Sequence, residues 1–372
     1  MRIGITCYPT YGGSGIVATE LGLELATRGH DVHFITYSNP IRLDPGVPRI
    51  HYHEVEVSNY PLFQYPPYCL ALASRMSDVA ESYDLDLLHV HYAIPHSISA
   101  LLARQMTAPR RRLPFITTLH GTDITLVGVD RSYFGITKFS IEQSDGITAI
   151  SHDLRRETVE VFGVENEIRV IHNFVNCETY RPDPERIGLA EFAPAGEKLL
   201  IHLSNFRPVK RVLDCIRIFA EVRKHANVRL LMVGDGPERG PAEHLAWTLG
   251  VSKHVDFLGK RNQVERLIRL AHVILMPSEM ESFGLAALEA MACGVVPVAT
   301  RVGGVPELIT DGEDGFLEEV GDIARLAERA TQLVTDADLH ARMAVAARKT
   351  AMTRFSTEKI IPQYEAYYND VL

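Results

Sequence analysis

The sequence predicts an α/β protein built from two Rossmann-like, doubly wound domains, and three observations carry this prediction. The 372 residues suit two domains of ordinary size. Short β-branched runs alternate with longer helical patterns along the whole chain, which is typical of a parallel sheet covered on both faces. The alternation stops once, at 181–196, where three prolines interrupt it, and then restarts.

Apolar runs of four to six residues predict the strands, and apolar spacing of three to four residues predicts the helices between them. In the first half we expect strands at Ile3–Cys7, Val32–Thr36, Leu87–His91, Phe115–Thr118, Ile147–Ile150 and Ile168–Ile171, with helices at Ile16–Arg28, Tyr68–Ser82, Ser97–Met106 and Leu154–Phe162. In the second half we expect strands at Leu199–Leu203, Val228–Val233, Val255–Leu258, Val273–Met276 and Val295–Ala299, and final helices at Asp322–Thr335 and Asp338–Arg354.

These elements predict an N-terminal domain at 1–175, a linker at 181–196 and a C-terminal domain at 197–355. A last helix, 356–372, is expected to pack back on the first domain. We expect the two domains to face each other across a cleft. In such sheets ligands bind outside the carboxyl ends of the strands, so the loops that follow strands are the places to search.

Composition excludes several classes of protein. The formal net charge is −9, which argues against a general nucleic-acid binder and against stable membrane association, so an anionic ligand needs local positive groups. Five scattered cysteines without a CxxC pair indicate neither a disulfide framework nor a zinc site. The chain opens directly into a strand and has no long apolar segment, so we expect a cytoplasmic protein.

A glycine-rich turn, Tyr8–Gly15, follows the first strand and precedes a helix. Such a turn brings backbone N–H groups close to an anion at a helix N-terminus. The subset Gly13-x-Gly15-x-x-Ala18 matches a dinucleotide fingerprint, but the second strand ends without the acidic residue that would bind a ribose, which disfavours NAD. A tight turn that simply requires glycine remains the alternative.

The segment 277–294 is the most specific signal in the sequence. It predicts an almost wholly apolar, buried helix from Phe283 to Cys293, in which Glu289 is the only charge. A buried carboxylate needs hydrogen-bond donors, and a ribose diol would supply two. Glu281 lies just before the helix, where the N–H groups of Phe283, Gly284 and Leu285 favour an anion. A helix-dipole role for Glu281 and a salt bridge for Glu289 are the alternatives.

The loop Ser204–Arg211 follows the first strand of the second half and carries three cations in five residues. Arg207 and Lys210 suit a diphosphate, unless the loop is merely solvated. The later Gly234–Pro237 is an ordinary loop signal.

The histidines of the first half follow or end strands. His89 and His91 share a strand face, but without a nearby carboxylate or cysteine we expect no metal site. His120 is expected to hydrogen-bond a hydroxyl as a neutral imidazole. Arg110–Arg112 is expected to be a solvated surface loop, with membrane-surface contact as the alternative.

These residues resemble a known family. The 277–294 segment is similar to the E-x7-E signature of retaining glycosyltransferases of the GT-B fold, family 4, and the resemblance extends over essentially the whole chain. Four blocks, 7–22, 89–96, 117–125 and 204–211, are similar to the branch that transfers N-acetylglucosamine from UDP-N-acetylglucosamine to the hydroxyl of L-malate, the first step of bacillithiol biosynthesis.

The resemblance implies roles for individual residues, with no metal and no cofactor. Four groups would act in catalysis: His120, Glu281, Lys210 and Arg207. The donor would also contact Gly13, Glu289, Phe283, Gly284, Leu285 and Lys260, with Glu289 on the uridine ribose and Glu281 on the sugar hydroxyls. The acceptor would contact Ser14, Tyr92, Thr118 and Asn173. One departure is that the family usually has Gly-Arg where this chain has Ser204-Asn205, so the role of the arginine passes to Arg207.

Three functions stay open on the sequence. One is the malate transferase. A second is a related enzyme, either a family-4 transferase with another small acceptor or a GT-B sugar-nucleotide epimerase. The third is a non-catalytic nucleotide-sugar sensor, which predicts loss of Glu281, Lys210 or His120, yet all three are present. A homo-oligomer is possible in each case.

Overall fold

The computed structural model describes residues 1–10, 12–44, 46–58, 61–108 and 110–372. The chain forms two compact units. The first comprises Met1–His172 and Ile360–Leu372, and the second comprises Asn173–Lys359. The division falls after His172 and again after Lys359, whereas 181–196, expected as a linker, lies inside the second unit.

The first unit is built on a sheet of seven strands in the order β3-β2-β1-β4-β5-β6-β7, and each neighbouring pair is parallel. The strands are β1 Arg2–Thr6, β2 Asp31–Thr36, β3 Ile50–Glu54, β4 Leu87–His91, β5 Phe115–Leu119, β6 Gly146–Ala149 and β7 Arg169–Val170. In register, Ile3 of the central β1 lies beside Val32 of β2 and Leu87 of β4.

The helices of the first unit alternate with these strands. They are α1 Gly13–Thr27, α2 Tyr68–Ser82, α3 Ile98–Thr107, α4 Phe134–Glu142 and α5 His152–Phe162, with π-helical turns at Ala93–Ser97 and Asp123–Val127. Most of the last helix of the chain, Thr357–Val371, also belongs to this unit. There Tyr367 donates its hydroxyl to the Ile147 carbonyl and accepts from the Ile147 N–H, which fixes the helix against β6.

The second unit repeats the plan with six parallel strands in the order β10-β9-β8-β11-β12-β13. Its strands are β8 Lys198–Leu203, β9 Val228–Val233, β10 Val255–Gly259, β11 Val273–Met276, β12 Val296–Thr300 and β13 Phe316–Glu318. Its helices are α6 Leu189–Phe192, α7 Val212–Arg223, α8 Arg239–Thr248, α9 Val264–Ile268, α10 Leu285–Ala292, α11 Val305–Leu308, α12 Ile323–Thr335 and α13 Ala337–Arg354, followed by the start of α14, the last helix.

The α/β prediction is therefore confirmed, with parallel sheets in both units. Five of the labelled strands and helices were missed: β3, β13 and α4, and the four-residue helices α6 and α11. The strand β3 reads Ile-His-Tyr-His-Glu at a sheet edge, so it lacks the apolar run of a buried strand. Among the described residues, every helix is too short or too polar to cross a bilayer.

Candidate active site

Each sheet has one position where the strand order reverses, between β1 and β4 in the first unit and between β8 and β11 in the second. In open α/β sheets the ligand site lies outside the carboxyl ends of the strands at such a position. The loops that follow these four strands contain most of the residues singled out in the sequence.

The turn after β1 is shaped by glycine. Gly12 is the N-cap of α1, and Gly13 and Ser14 open that helix with accessible backbone. A Cβ on Gly15 would lie 2.4 Å from the Tyr8 carbonyl oxygen, so only glycine permits this approach. The first N–H groups of α1, which lack partners within the helix, therefore follow the turn after β1 and are suited to an anion. Tyr11, part of the predicted turn, lies outside the described residues.

The loops after β4 and β5 bring His120 against Tyr92. Their rings are stacked with centroids 5.8 Å apart, and His120 Nε2 lies 2.9 Å from His91 Nδ1. Burial lowers the pKa of His120 to about 3, so the ring is neutral at physiological pH and can hydrogen-bond a hydroxyl. Tyr92 has a φ of +89°, a backbone conformation that costs about 1–3 kcal/mol in a non-glycine residue.

Thr118 does not face solvent. Its side chain is fully buried, and its hydroxyl lies 2.6 Å from both His89 Nε2 and Thr148 Oγ1. The other nitrogen of His89 lies 2.8 Å from the Tyr368 hydroxyl. Both nitrogens of His89 are therefore engaged, which speaks against a metal at His89 and His91. The Thr118 hydroxyl is therefore occupied by hydrogen bonds that link β4, β5 and β6, and it is not available to a ligand.

Asp123 was not among the candidate site residues predicted from the sequence. It is fully buried and accepts hydrogen bonds from the N–H groups of Ala93, His120 and Gly121. Burial raises the pKa of this carboxyl group, and the backbone N–H groups oppose the rise. The sequence signal that could have revealed it is its place three residues after His120, the spacing of a carboxylate that caps a turn.

In the second unit, Lys210 and Glu281 form an ion pair across the reversal position. Lys210 Nζ lies 2.5 Å from Glu281 Oε1, and the Ser278 hydroxyl donates to the same oxygen at 3.0 Å. The backbone reinforces the pairing, because the N–H of Glu279 donates to the Val209 carbonyl. The loop after β8 and the loop after β11 are thereby joined, with a cation and a carboxylate at their meeting point.

Arg207 and Lys260 follow β8 and β10 and are both exposed. The Arg207 carbonyl accepts from the Lys210 N–H, but its side chain has no ion-pair or hydrogen-bond partner in the part of the chain that the structure describes. Its guanidinium is available to an anion, as a diphosphate contact requires.

The loop after β9 packs directly on the loop after β8, which the sequence did not reveal. A Cβ on Gly234 would lie 1.8 Å from the Ser204 carbonyl oxygen, and one on Gly236 would lie 2.2 Å from that of Asn205. The N–H of Glu238 also donates to the Phe206 carbonyl. What looked like an ordinary loop signal is a close backbone contact that supports the cationic loop.

Ser204 has a structural role that explains its presence in place of glycine. His202 Nδ1 lies 2.9 Å from the Leu275 carbonyl and therefore carries the proton, so His202 Nε2 accepts from the Ser204 hydroxyl at 2.8 Å. The Ser204 oxygen in turn accepts from the Phe206 N–H. Burial lowers the pKa of His202 to about 4, which keeps this arrangement neutral.

The helix after β11 is shorter than expected. It covers Leu285–Ala292, and Gly284 is its N-cap with a φ of +93°. Phe283 is not its first residue; its ring is buried and packs edge-on against Phe355. Glu289 is 3% exposed, as the apolar pattern around it predicted. The backbone of Phe283 and Gly284 and the half-buried Leu285 lie at the start of this helix, and the Glu289 side chain lies within it.

Asn173 opens the second unit. Its side chain is 4% exposed, and its Oδ1 has no hydrogen-bond partner among the described residues. A buried, unsatisfied amide oxygen is costly and suits a residue that meets a polar ligand.

The arginine loop is more ordered than expected. Arg112 donates to the carbonyls of Val371 and Leu372, Arg110 pairs with Glu81, and Arg111 donates to the Leu85 carbonyl. These contacts are structural.

Two Rossmann-like units with such loops at their strand ends define a GT-B glycosyltransferase. Residues 11–179 match the model of Glycosyltransferase Family 4, and residues 189–350 match that of Glycosyl transferases group 1. The sucrose-phosphate synthase of Thermosynechococcus elongatus superposes with a TM-score of 0.82 at 20% identity, covering 100% of this chain and 98% of the other. HepE of Anabaena in complex with UDP-glucose gives 0.79 at 20% identity, covering both chains completely (100%).

Sequence similarity to individual proteins leads to the same family. It is 49% identical to the N-acetyl-alpha-D-glucosaminyl L-malate synthase of Bacillus anthracis, over 100% of this chain and 97% of the relative. It is 26% identical to the D-inositol 3-phosphate glycosyltransferase of Mycobacterium tuberculosis, over 87% of this chain and 71% of the relative. The chain therefore belongs to the glycosyltransferase family that includes the Bacillus anthracis synthase.

Proposed function

We propose that this glycosyltransferase moves N-acetylglucosamine from UDP-N-acetylglucosamine to the hydroxyl of L-malate. The observation that carries the proposal is the 49% identity, over the whole chain, to a synthase whose name states that product. The other open functions, a different acceptor or an epimerase, have no comparable observation in their favour.

We further propose that the transfer retains the anomeric configuration and needs no metal ion. The bond between the sugar C1 and the UDP oxygen breaks, and a bond from C1 to the malate hydroxyl oxygen forms on the same face. The malate hydroxyl proton passes to an oxygen of the departing diphosphate. Negative charge develops on UDP, and Arg207, Lys210 and the N-terminus of α10 would stabilise it.

For the donor, we propose that Glu289 binds the uridine ribose and Glu281 the sugar hydroxyls. Glu281 now pairs with Lys210, so both groups are oriented before the donor arrives. Lys260 and the backbone at Gly13 and Gly284 would complete the donor site, together with the backbone of Phe283 and Leu285. His120 would hydrogen-bond a hydroxyl of the transferred sugar, which its neutral ring permits.

For the acceptor, we propose contacts from Ser14, Tyr92 and Asn173. The unsatisfied Oδ1 of Asn173 and the accessible turn at Ser14 support this set. Thr118 contributes to this set through its backbone, because its carbonyl accepts a hydrogen bond from the Tyr92 N–H.

The test is a donor and acceptor assay on the purified full chain. We expect UDP release from UDP-N-acetylglucosamine to depend on L-malate, with the glycoside identified by mass spectrometry and its anomer by NMR. Activity is expected to persist in the presence of EDTA. UDP release that is independent of malate, or a better rate with an unrelated acceptor, would contradict the proposed acceptor.

A further inference from the structure

Asp123 is a buried carboxylate that accepts hydrogen bonds from backbone N–H groups. Its side chain is 0% exposed, and no Lys, Arg or His side chain pairs with it among the described residues. Burying a carboxylate without a cation is costly unless several donors solvate it. We therefore expect the hydrogen bonds of this carboxylate to have a role that a neutral side chain could not fill.

The three hydrogen bonds of Asp123 join two loops. Oδ2 accepts from the Ala93 N–H at 3.0 Å, just after β4. Oδ1 accepts from the N–H groups of His120 at 3.2 Å and Gly121 at 2.9 Å, just after β5. One carboxylate therefore fixes the distance between the ends of two neighbouring strands.

The groups proposed to act on substrate lie directly beside these donors. Tyr92 precedes Ala93 and has a φ of +89°, a strained conformation that the surrounding structure has to maintain. His120 is itself a donor to Asp123, and its ring stacks on that of Tyr92. Movement of either loop would separate the two rings.

We propose that Asp123 is a positioning residue that holds His120 and Tyr92 in the arrangement needed for glycosyl transfer. This rests on the proposed function, in which His120 contacts the sugar. Asp123 does not itself touch substrate: both of its oxygens are occupied by backbone donors, and the side chain is inaccessible. Its contribution is to the geometry of the transition state and not to donor affinity.

The experiment compares Asp123→Asn with the parent enzyme. Asparagine keeps the shape but replaces one acceptor oxygen with an NH₂ donor, so at least one of the three N–H groups loses its partner. We expect kcat to fall about 100-fold, the cost of a misplaced catalytic group, with the Kd for UDP unchanged because the proposed diphosphate contacts are in the second unit. In ¹⁵N-histidine spectra, the His120 signals, assigned by their loss in His120→Asn, are expected to shift.

Asp314→Asn is the matched control. Asp314 is also a buried carboxylate (3% exposed) that accepts from a backbone N–H, that of Thr310, and from the Thr350 hydroxyl, but it belongs to the second unit, whereas His120 and Tyr92 belong to the first. We expect this variant to keep its kcat and its His120 signals. Asp123→Ser, which keeps one oxygen acceptor, is measured in the same way in case Asp123→Asn does not fold.

The outcomes separate this inference from the proposed function. A folded Asp123 variant with parental kcat and parental His120 signals overturns it, and so does a failure of both variants to fold, which would make the carboxylate a folding requirement. If the parent enzyme transfers nothing to malate, the proposed function fails, while the His120 signals still show whether Asp123 positions that ring.

Discussion

At the scale of single residues, the chemistry of the candidate site depends on which groups are charged. His120 and His202 are buried, and burial lowers their pKa values to about 3 and about 4, so both act as neutral hydrogen-bonding groups. Positive charge at the proposed donor site comes instead from Lys210 and from the exposed Arg207. This division suits a reaction in which the leaving group is an anion and the substrate is rich in hydroxyls.

Lys210→Ala provides the test at this scale. We expect kcat to fall about 100-fold or more, because one preorganised group that stabilises the developing charge is removed. The pair with Glu281 is mostly buried, so the Tm should fall, but the fold should persist because Glu281 keeps the hydrogen bond from the Ser278 hydroxyl. Steady-state kinetics and a thermal melt measure the two effects.

Lys224→Ala is the control, because Lys224 forms an exposed pair with Glu221 at the end of α7. If Lys210→Ala and Lys224→Ala have similar kcat values, Lys210 does not stabilise the departing diphosphate.

At the scale of elements, the loops after β8, β9 and β10 are joined to one another by backbone contacts. The N–H of Gly234 donates to the Gly259 carbonyl at 2.9 Å, and Gly236 lies against the Asn205 carbonyl. The loop that carries Arg207 is therefore supported by close backbone contacts as well as by the Ser204 side chain. Its position depends on the absence of a Cβ at two glycines.

Gly236→Ala tests this support. The new Cβ would lie 2.2 Å from the Asn205 oxygen, so the cationic loop has to move, and we expect a weaker Kd for UDP together with a lower Tm. Gly240→Ala is matched to it, because a Cβ there meets open space within α8, and it should be neutral or stabilising by up to about 1 kcal/mol. The Kd for UDP of both variants is measured by calorimetry. Equal values would show that the loop after β9 does not support the loop that carries Arg207.

At the scale of the whole molecule, the sequence predicted the α/β class because buried parallel strands leave continuous apolar runs. The edge strand β3 has two histidines in place of an apolar run and was missed, whereas the edge strands β7 and β10 keep apolar residues and were predicted. Glu281, Glu289 and Lys210 could be singled out because charge is conspicuous beside apolar segments. The hydrogen bond of Asp123 to Ala93 and the close approach of Gly236 to Asn205 could not be predicted, since each involves a backbone group of another loop.

Buried histidines in both units predict how the stability of the whole protein depends on pH. Burial lowers the pKa to about 3 for His89, about 4 for His96 and about 4 for His202, whereas an unfolded histidine titrates near 6.5. Between these values the unfolded chain binds more protons than the native one, so the free energy of unfolding falls as the pH is lowered through this window. We expect a lower urea midpoint at about pH 5 than at about pH 7.

The variant His89→Gln isolates one of these groups. Gln can still hydrogen-bond Tyr368 and Thr118 but does not titrate, so one proton is removed from the difference between the unfolded and native states. The slope of unfolding free energy against pH should therefore decrease, by up to about 1.4 kcal/mol per pH unit. If the slope of the unfolding free energy against pH were identical to that of the parent, His89 would not resist protonation in the native protein. The buried hydrogen bonds from Tyr368 to Thr148 would then have to accommodate a charge.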